Sequence, residues 1–476
     1  MSSLTVEDTN HNRQENSVSI DKAIFRAYDI RGVVDQNLTV ELAYLLGRAF
    51  GSAAIAENRQ EVIVARDGRL TGERLKKSLT KGLCDSGVDV IDLGMVPTPV
   101  LYFGCEHFET YTGIMITGSH NPSDYNGFKM VLNGVPLAEA GIQKLYQTIV
   151  NQTFEVGSGQ RCEKNIIEDY IAAVTKRINI TAPLKVVVDC GNGVVGAIAE
   201  KFFKALNVEF IGLYCDVDGT FPNHHPDPGQ PKNMQDLIHQ VKLQKADLGL
   251  AFDGDGDRLG IVTHDGDIIW PDKVMMLFVE EVLRAEPNAP IIYDVKCTQH
   301  LGQHIAQLGG KPVMYKTGHS LIKRKMKELC SPLAGEMSGH FFFKHRWFGF
   351  DDACFSAAML LEILTKQVPY ETLAARIEKY PKAVNTPEIN VPLADEKKFD
   401  FIEALKKSNY FSKEKMITVD GLRIEFADGW GLVRASNTTP NLVLRFEASS
   451  EQTMHKIQAD FKLMMQAIEP TLVVPF

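Results

Sequence analysis

Leu248-Gly249-Leu250-Ala251-Phe252-Asp253-Gly254-Asp255-Gly256-Asp257-Arg258 runs from an apolar segment straight into three carboxylates at every second position, with glycine between them. A short apolar run that meets charge this abruptly reads as a buried strand ending in a loop. Alternate side chains of extended backbone point the same way, so the three carboxylates can converge on one point. The glycines leave space and permit a tight turn. Like charges held that close repel unless a cation sits among them. Hard oxygen donors in a small cage suit Mg2+ or Mn2+ rather than zinc.

Outward from this stretch, strand-like and helix-like segments alternate. Glu61–Arg66, Val88–Leu93 and Thr112–Ile116 read as strands, with a helix at Leu70–Cys84. After a polar stretch near Asn151–Lys164 come helix Ile166–Ile178, strand Lys185–Asp189, helix Val195–Leu206 and strand Glu209–Tyr214. A third unit holds helix Lys273–Ala285, strand Ile291–Val295 and helix Leu301–Leu308. Repeated βα units argue for parallel sheets sandwiched by helices, whose ligands gather beyond the carboxyl ends of the strands. The acidic loop holds such a place. The last part differs: Ile417–Phe426, Gly431–Ser436 and Asn441–Ala448 read as strands and Glu451–Ala467 as one helix. The expected fold class is α/β in four domains, three with mixed or parallel sheets sandwiched by helices and then a C-terminal α+β domain. The expected boundaries are a disordered tail at 1–20 and domains at 21–164, 165–267, 268–381 and 382–476.

Composition excludes several classes. The chain has 476 residues and a net charge of −9, which gives no support for nucleic acid or an anionic membrane as partner. Its eight cysteines are scattered without a CxxC pair, so neither a disulfide framework nor a zinc ribbon is suggested. A reducing cytoplasm fits best. The first residues, through Ile20, are polar and lack an apolar h-region. No apolar run reaches the roughly 18 residues of a membrane span.

Other readings of the acidic loop compete. An EF-hand opening at Asp253 wants glycine sixth and glutamate twelfth, where Arg258 and His264 stand. A phosphatase of the haloacid dehalogenase type has DxDx[TV] with the first aspartate as nucleophile; Asp253 and Asp255 fit, but Asp257 takes the Thr/Val place. A solvated acidic turn has no need of a buried strand before it.

Three further segments carry chemistry. In Thr117-Gly118-Ser119-His120-Asn121-Pro122 a serine follows an apolar strand, with His120 beside it and Lys129 downstream. A serine hydroxyl needs a base or a metal to act as nucleophile. Asn121 stands where a nucleophile elbow has its second glycine, which weakens acyl transfer. A hydroxyl together with a divalent-ion loop points to phosphoryl transfer. Gly335-Glu336-Met337-Ser338-Gly339-His340 offers short acceptors suited to sugar hydroxyls, or is a polar turn. Arg434-Ala435-Ser436-Asn437-Thr438-Thr439-Pro440 offers a guanidinium, hydroxyls and turn N–H groups, a phosphate cradle or an ordinary Ser/Thr turn. Gly191-Asn192-Gly193-Val194-Val195-Gly196 is a literal G-x-G-x-x-G, with Asp216 roughly where a ribose-binding acid belongs. Asp189 just before it would face a pyrophosphate, so a tight βα turn is the better reading.

Together these segments resemble the α-D-phosphohexomutase superfamily, most closely its bacterial phosphomannomutase/phosphoglucomutase branch. Phe25-Arg26-Ala27-Tyr28-Asp29-Ile30-Arg31-Gly32, the Ser119 loop, Phe221–Pro226, the Asp253 loop, Asp294–Lys296, Lys316–His319, Gly335–His340 and Arg434–Pro440 stand in family order, from about Phe25 to the C-terminus. The resemblance implies a four-domain monomer around a central cleft. Ser119 would carry a phosphoryl group, and Asp253, Asp255 and Asp257 would hold Mg2+ together with an oxygen on Ser119. Glu336 and Ser338 would hold the sugar's 3- and 4-hydroxyls, and Arg434, Ser436, Asn437 and Thr438 the phosphate that does not react. Tyr28 is a further expected substrate contact. The reaction would pass through a hexose 1,6-bisphosphate, with glucose or mannose 1,6-bisphosphate as activator. A site reading O3 and O4 separates glucose from mannose poorly, since they differ only at C2. Phosphoglucosamine mutases usually have glutamine at the place of Met337, so glucose and mannose phosphates rank above glucosamine phosphate.

Charge supports this reading. Three aspartates and a phosphoserine of about −2 outweigh a divalent cation, so an anionic phosphosugar needs further cations in the cleft. Arg31, Lys129, Arg258, Lys296, His319 and His340 are the candidates, with Lys129 and His120 as general base and acid at the sugar hydroxyl. Turning the bisphosphate within the cleft calls for a mobile last domain hinged near Tyr380–Pro387.

Overall fold

The structure, a computed structural model, describes residues 20–366, 370–408, 410–411, 414–436 and 439–476. The expected tail lies outside these residues apart from Ile20, as do Asn437 and Thr438.

The described residues form four sheets with one theme repeated three times. In the first, Tyr125–Leu132, Gly113–Ile116, Glu61–Arg66 and Asp89–Met95 are neighbours in that order, with Ile30–Val33 and Arg161–Glu163 at the edges. The second runs Leu259–Thr263, Leu248–Phe252, Lys185–Asp189, Glu209–Leu213, and the third Phe341–Phe343, Leu333–Gly335, Pro290–Asp294, Lys311–Tyr315. Each has three parallel strands joined through helices, then a fourth that returns antiparallel. The expectation of mixed or parallel sheets sandwiched by helices therefore holds, and in all three units the sheet is mixed. The reason is loop length: a parallel return needs a crossover of a dozen or more residues, and each of these loops is far shorter.

Each antiparallel return carries one chemical segment. Ser119 lies between Gly113–Ile116 and Tyr125–Leu132, the three aspartates between Leu248–Phe252 and Leu259–Thr263, and Glu336 between Leu333–Gly335 and Phe341–Phe343. One fold unit, used three times, presents three different loops.

The last sheet is antiparallel: Lys415–Ile417, Leu422–Phe426, Gly429–Ala435 and Asn441–Ala448, crossed by helices Asp395–Lys407 and Glu451–Ile468. The single strand expected over Ile417–Phe426 is two strands. Gly421, at φ +81°, turns the chain between them and leaves Asp420 in the turn. The apolar alternation changes phase at Asp420-Gly421, from Ile417 and Val419 to Leu422, Ile424 and Phe426, and Asp-Gly between two such runs is a hairpin signal that the single-strand reading passed over.

One core runs unbroken through the first three units, from Ile63 to Tyr380, and includes helix Ala353–Thr365, buried on every side. Trp347 stacks on Phe355 at 4.6 Å within it. The terminal unit has its own core around Phe461 and Phe446. It docks on the third unit through Trp430 and Leu432 against Val295. No helix among the described residues is long and apolar enough to cross a membrane.

Candidate active site

Ser119 ends the first unit's hairpin with φ +48°, a conformation that costs a serine free energy and persists only where surroundings enforce it. Those surroundings are explicit. Thr117 Oγ1 accepts from the Ser119 N–H at 2.7 Å and donates to Asp67 Oδ2 at 2.8 Å. The guanidinium of Arg69, fully buried, donates to the carbonyls of Ser119 (2.8 Å), Asn121 (2.6 Å), Pro122 (2.5 Å) and Tyr125 (2.9 Å). Sequence reasoning missed Asp67 and Arg69. Their signal was available: charge at the carboxyl end of strand Glu61–Arg66, where ligands of such sheets gather.

The aspartate loop lies against this serine. Ser119 Oγ donates to Asp253 Oδ2 at 3.0 Å and contacts His120 Nδ1 at 3.1 Å. A Cβ on Gly254 would stand 2.4 Å from the Ser119 carbonyl oxygen, so only glycine lets the two backbones come this close. Asp253 Oδ1 accepts from the N–H groups of Gly256, Asp257 and Arg258 at 3.0–3.1 Å, and Oδ2 from Arg258 Nε at 3.1 Å. Thr98 Oγ1 donates to Asp255 Oδ2 at 2.6 Å.

Asp253, Asp255 and Asp257 are all 0% exposed, and one carboxylate oxygen from each lies within 4.8 Å of the others. Asp255 Oδ1 is buried without a hydrogen-bond partner among the described residues, and Asp257 Oδ1 has an ion-pair contact with His340 Nε2 at 3.3 Å. Burial, with Asp255 and Asp257 alongside, pushes the Asp253 carboxyl up to about 7. An orphaned oxygen on Asp255, a hard all-oxygen donor set and three carboxylates held together fit a divalent metal ion.

Cations surround the triad. Lys129 pairs with Asp255 at 2.7 Å and also with Asp257. Burial opposes its charge, but Asp255, Asp257 and Asp253 outweigh that and hold it firmly as an ammonium. His120 is the reverse: burial, then Arg258, Arg31 and Lys129, keep its imidazole neutral. These charge states bear on the expected parts of base for Lys129 and acid for His120. An ammonium has no lone pair to take a proton, and a neutral imidazole has one. Arg258 bridges Asp253 and Asp227 (3.2 Å), and Arg31 joins Asp29 to Asn121 at 2.5 Å each.

The third loop closes on the second. Leu259 N–H donates to the Gly339 carbonyl at 3.0 Å, and His340 lies 3.3 Å from Asp257 and 3.2 Å from Glu336. Burial works against a charge on His340, but Asp257 and Glu336 prevail and push it up to about 10. Ser338 Oγ meets His340 Nδ1 at 2.8 Å, and Gly318 N–H donates to Glu336 Oε1 at 2.6 Å. His319 stacks on His340 at 5.7 Å, touches Asp351 at 3.4 Å and takes the Tyr28 ring edge-on at 6.0 Å. Asp351, also paired with Lys323 at 2.7 Å, was not foreseen. Lys296 binds Glu388 at 2.7 Å.

In the last unit Arg434 Nε donates to Asp420 Oδ2 at 2.9 Å, which also accepts from Thr317 N–H at 3.1 Å. Arg434 Nη2 is buried without a hydrogen-bond partner among the described residues, a donor suited to an anion. Ser436 Oγ accepts from Thr439. The G-x-G-x-x-G turn supports the aspartate loop. Val194 N–H donates to the Gly254 carbonyl at 3.1 Å, and a Cβ on Gly193 would meet that oxygen at 3.0 Å. Asp189 binds His224 at 2.9 Å, and His225 bonds the His120 carbonyl.

The chain is 52% identical over 455 residues to the phosphomannomutase/phosphoglucomutase of Pseudomonas aeruginosa PAO1, covering 95% of this chain and 98% of that protein. It is 47% identical over 462 residues to a phosphoglucomutase of Neisseria meningitidis serogroup A, covering 96% and 99%. The crystal structure of a phosphoglucomutase/phosphomannomutase family protein from Burkholderia thailandensis superposes with a TM-score of 0.91 at 49% identity, over 96% of this chain and 100% of that one. Family models for phosphoglucomutase/phosphomannomutase α/β/α domains I, II and III and the C-terminal domain match residues 22–156, 168–266, 270–381 and 388–464. With every unit matched in order, the chain belongs to the phosphoglucomutase/phosphomannomutase family.

Proposed function

We propose that this chain interconverts the 1- and 6-phosphates of glucose and mannose, with Ser119 as the phosphoryl carrier and a hexose 1,6-bisphosphate as the intermediate and activator. The observation that carries this reading is Ser119 Oγ at 3.0 Å from Asp253 and 3.1 Å from His120. Asp253, Asp255, Asp257 and an oxygen on Ser119 would hold Mg2+, which when bound offsets charge on the transferring phosphoryl group.

The chain's own groups do the rest. His120, neutral and beside Oγ, takes the proton of the incoming sugar hydroxyl and returns it to the departing serine oxygen. Lys129 and Arg258, held positive, neutralise charge as the phosphoryl group moves. Arg31, beside Asn121 of the serine loop, does the same from the other side. Glu336 and Ser338 read the sugar hydroxyls, with His319, His340 and Lys296 near them and Tyr28 against His319. Arg434, with Ser436, Asn437 and Thr438, receives the idle phosphate. One phosphate fixed at that end and one reacting at the other leave C2 unread, which accommodates both sugars.

Asp253 as an aspartyl nucleophile loses support, because the family is that of the mutases. We take the enzyme as a monomer of four domains at 21–164, 165–267, 268–381 and 382–476. Its eight free thiols fit a reducing compartment such as the cytoplasm.

The test is direct. Enzyme, Mg2+, glucose 1-phosphate and a trace of glucose 1,6-bisphosphate should yield glucose 6-phosphate without free phosphate. Intact mass should show a phosphoryl group that Ser119→Ala lacks. Free phosphate as the sole product would sink the proposal.

A further inference from the structure

Cys190 directly follows strand Lys185–Asp189 and Cys215 stands two residues beyond its parallel neighbour Glu209–Leu213, and their Sγ atoms are 3.6 Å apart. All eight cysteines are free, and of these Cys190 is buried and Cys215 half-buried. We propose that Cys190 and Cys215 are a redox modification site at which a hydroperoxide forms an intrachain disulfide that displaces the aspartate loop and slows the enzyme.

The chemistry balances. The Cys215 thiolate attacks the peroxide oxygen, the O–O bond breaks, and a sulfenic acid forms with release of water or an alcohol. The Cys190 sulfur then attacks that sulfenic sulfur and expels water. Two thiols give up two electrons and two protons, and the hydroperoxide is the oxidant reduced. Cys215 is suited to the first step: it is reachable, and contact with the Cys190 thiol draws its pKa below the ordinary thiol value. Cys190 is suited to the second, since the same contact and its burial keep it protonated until a sulfenic acid stands beside it.

The route to the active site is short. A disulfide requires the sulfurs to close to about 2.05 Å, so one or both strand ends must move. Cys190 opens the glycine turn, and its carbonyl accepts from Gly193 N–H at 2.7 Å. On the other side a Cβ on Gly196 would lie 2.0 Å from the Cys215 carbonyl oxygen, so Cys215 touches the start of helix Gly196–Ala205. Between these two points, Val194 N–H holds the Gly254 carbonyl, and a Cβ on Gly256 would meet Val195 at 2.5 Å. The segment that the disulfide would pull is the one on which the metal loop rests. Asp189, next to Cys190, also reaches the serine loop through His224 and His225.

The experiment uses the full-length enzyme with Mg2+, treated with graded hydrogen peroxide. The expected result is a mass loss of about 2 Da, a peptide linking Cys190 to Cys215, and a roughly tenfold fall in turnover that dithiothreitol reverses. Cys215→Ser and Cys190→Ala should each keep their turnover through the same dose. The exposed Cys162 and Cys330 are internal references for exposed free thiols. If those two oxidise while Cys190 and Cys215 stay unlinked, the proposal is overturned on the unaltered chain, whatever the variants do. A linked peptide with unchanged turnover would overturn the coupling to the loop. The mass readout does not depend on the proposed reaction; an enzyme without mutase turnover before peroxide would count against that function instead.

Discussion

Asp253 shows how one residue's setting becomes a measurable property. Its carboxyl is raised to about 7 from 3.8 because burial and two neighbouring aspartates disfavour its charge. In the metal-free protein the folded state therefore holds a proton that the unfolded chain releases above about pH 4. Stability contributed by this group is present at low pH and declines as pH rises toward 7. Metal binding has the opposite sign, since it needs the ionised carboxylate. Affinity for Mg2+ or Mn2+ should rise about tenfold per pH unit up to about 7 and then level off. Calorimetric titration across this range checks it; an affinity flat in pH would show that Asp253 is already charged. His120 leads to a second expectation. His120→Ala should lower kcat about 100-fold or more and leave the protein's thermal stability close to unchanged, as suits a proton carrier. A variant with near-native kcat would remove His120 from the reaction.

At the scale of elements, the hairpin loops are defined by backbone contact as much as by side chains. The aspartate loop touches the serine loop through Gly254 and rests on the Cys190–Val195 turn through Gly193. A methyl group on Gly254 would clash with the Ser119 carbonyl oxygen, so Gly254→Ala should part the two loops. A misplacement approaching 1 Å predicts a loss in kcat of up to about 100-fold. Circular dichroism should stay native while turnover falls; equal turnover would mean the loops have slack. Arg69 acts at the same scale, since one buried guanidinium bonds four carbonyls of the serine loop. Its place past the carboxyl end of a strand was legible, but its partners were not, because they are main-chain oxygens supplied by a loop about fifty residues away.

At the scale of the whole molecule, the terminal unit is held to the third across a polar interface. Arg423 Nη1 donates to the Val295 and Cys297 carbonyls at 2.7 Å, Arg445 Nη1 to that of Lys296 at 2.8 Å, and Thr298 Oγ1 donates to Glu447 at 2.9 Å. The Arg423 guanidinium stacks on Trp430 at 3.8 Å. Arg423→Met keeps the packing volume but leaves two buried carbonyls unpaired, a cost of about 1–3 kcal/mol each. Hydrogen exchange should quicken in residues 295–298 and 422–434, and KM for the phosphosugar should rise because Arg434 is then less firmly placed. Unchanged exchange would show that the interface holds without Arg423.

The strand Leu248–Phe252, its three aspartates, Ser119 and the repeated βα units were legible in the chain because periodicity and adjacent charge are local properties. The break between Ile417 and Leu422, which places Asp420 against Arg434, was legible too in the Asp420-Gly421 turn and in the phase shift of the apolar pattern there, and reading the run as one strand passed over both. The antiparallel returns, Arg69, Thr98, Asp351 and the contact of Gly254 with Ser119 join segments distant in sequence, and no local pattern records such pairs. Protonation belongs to the same class. Lys129 and His120 look like ordinary base and acid on the page, and their charges are set only once burial and the neighbouring aspartates and arginines come together. The chain by itself determined which groups the site contains; the tertiary structure decided which face one another and which carry a proton, because field and desolvation depend on distance through space.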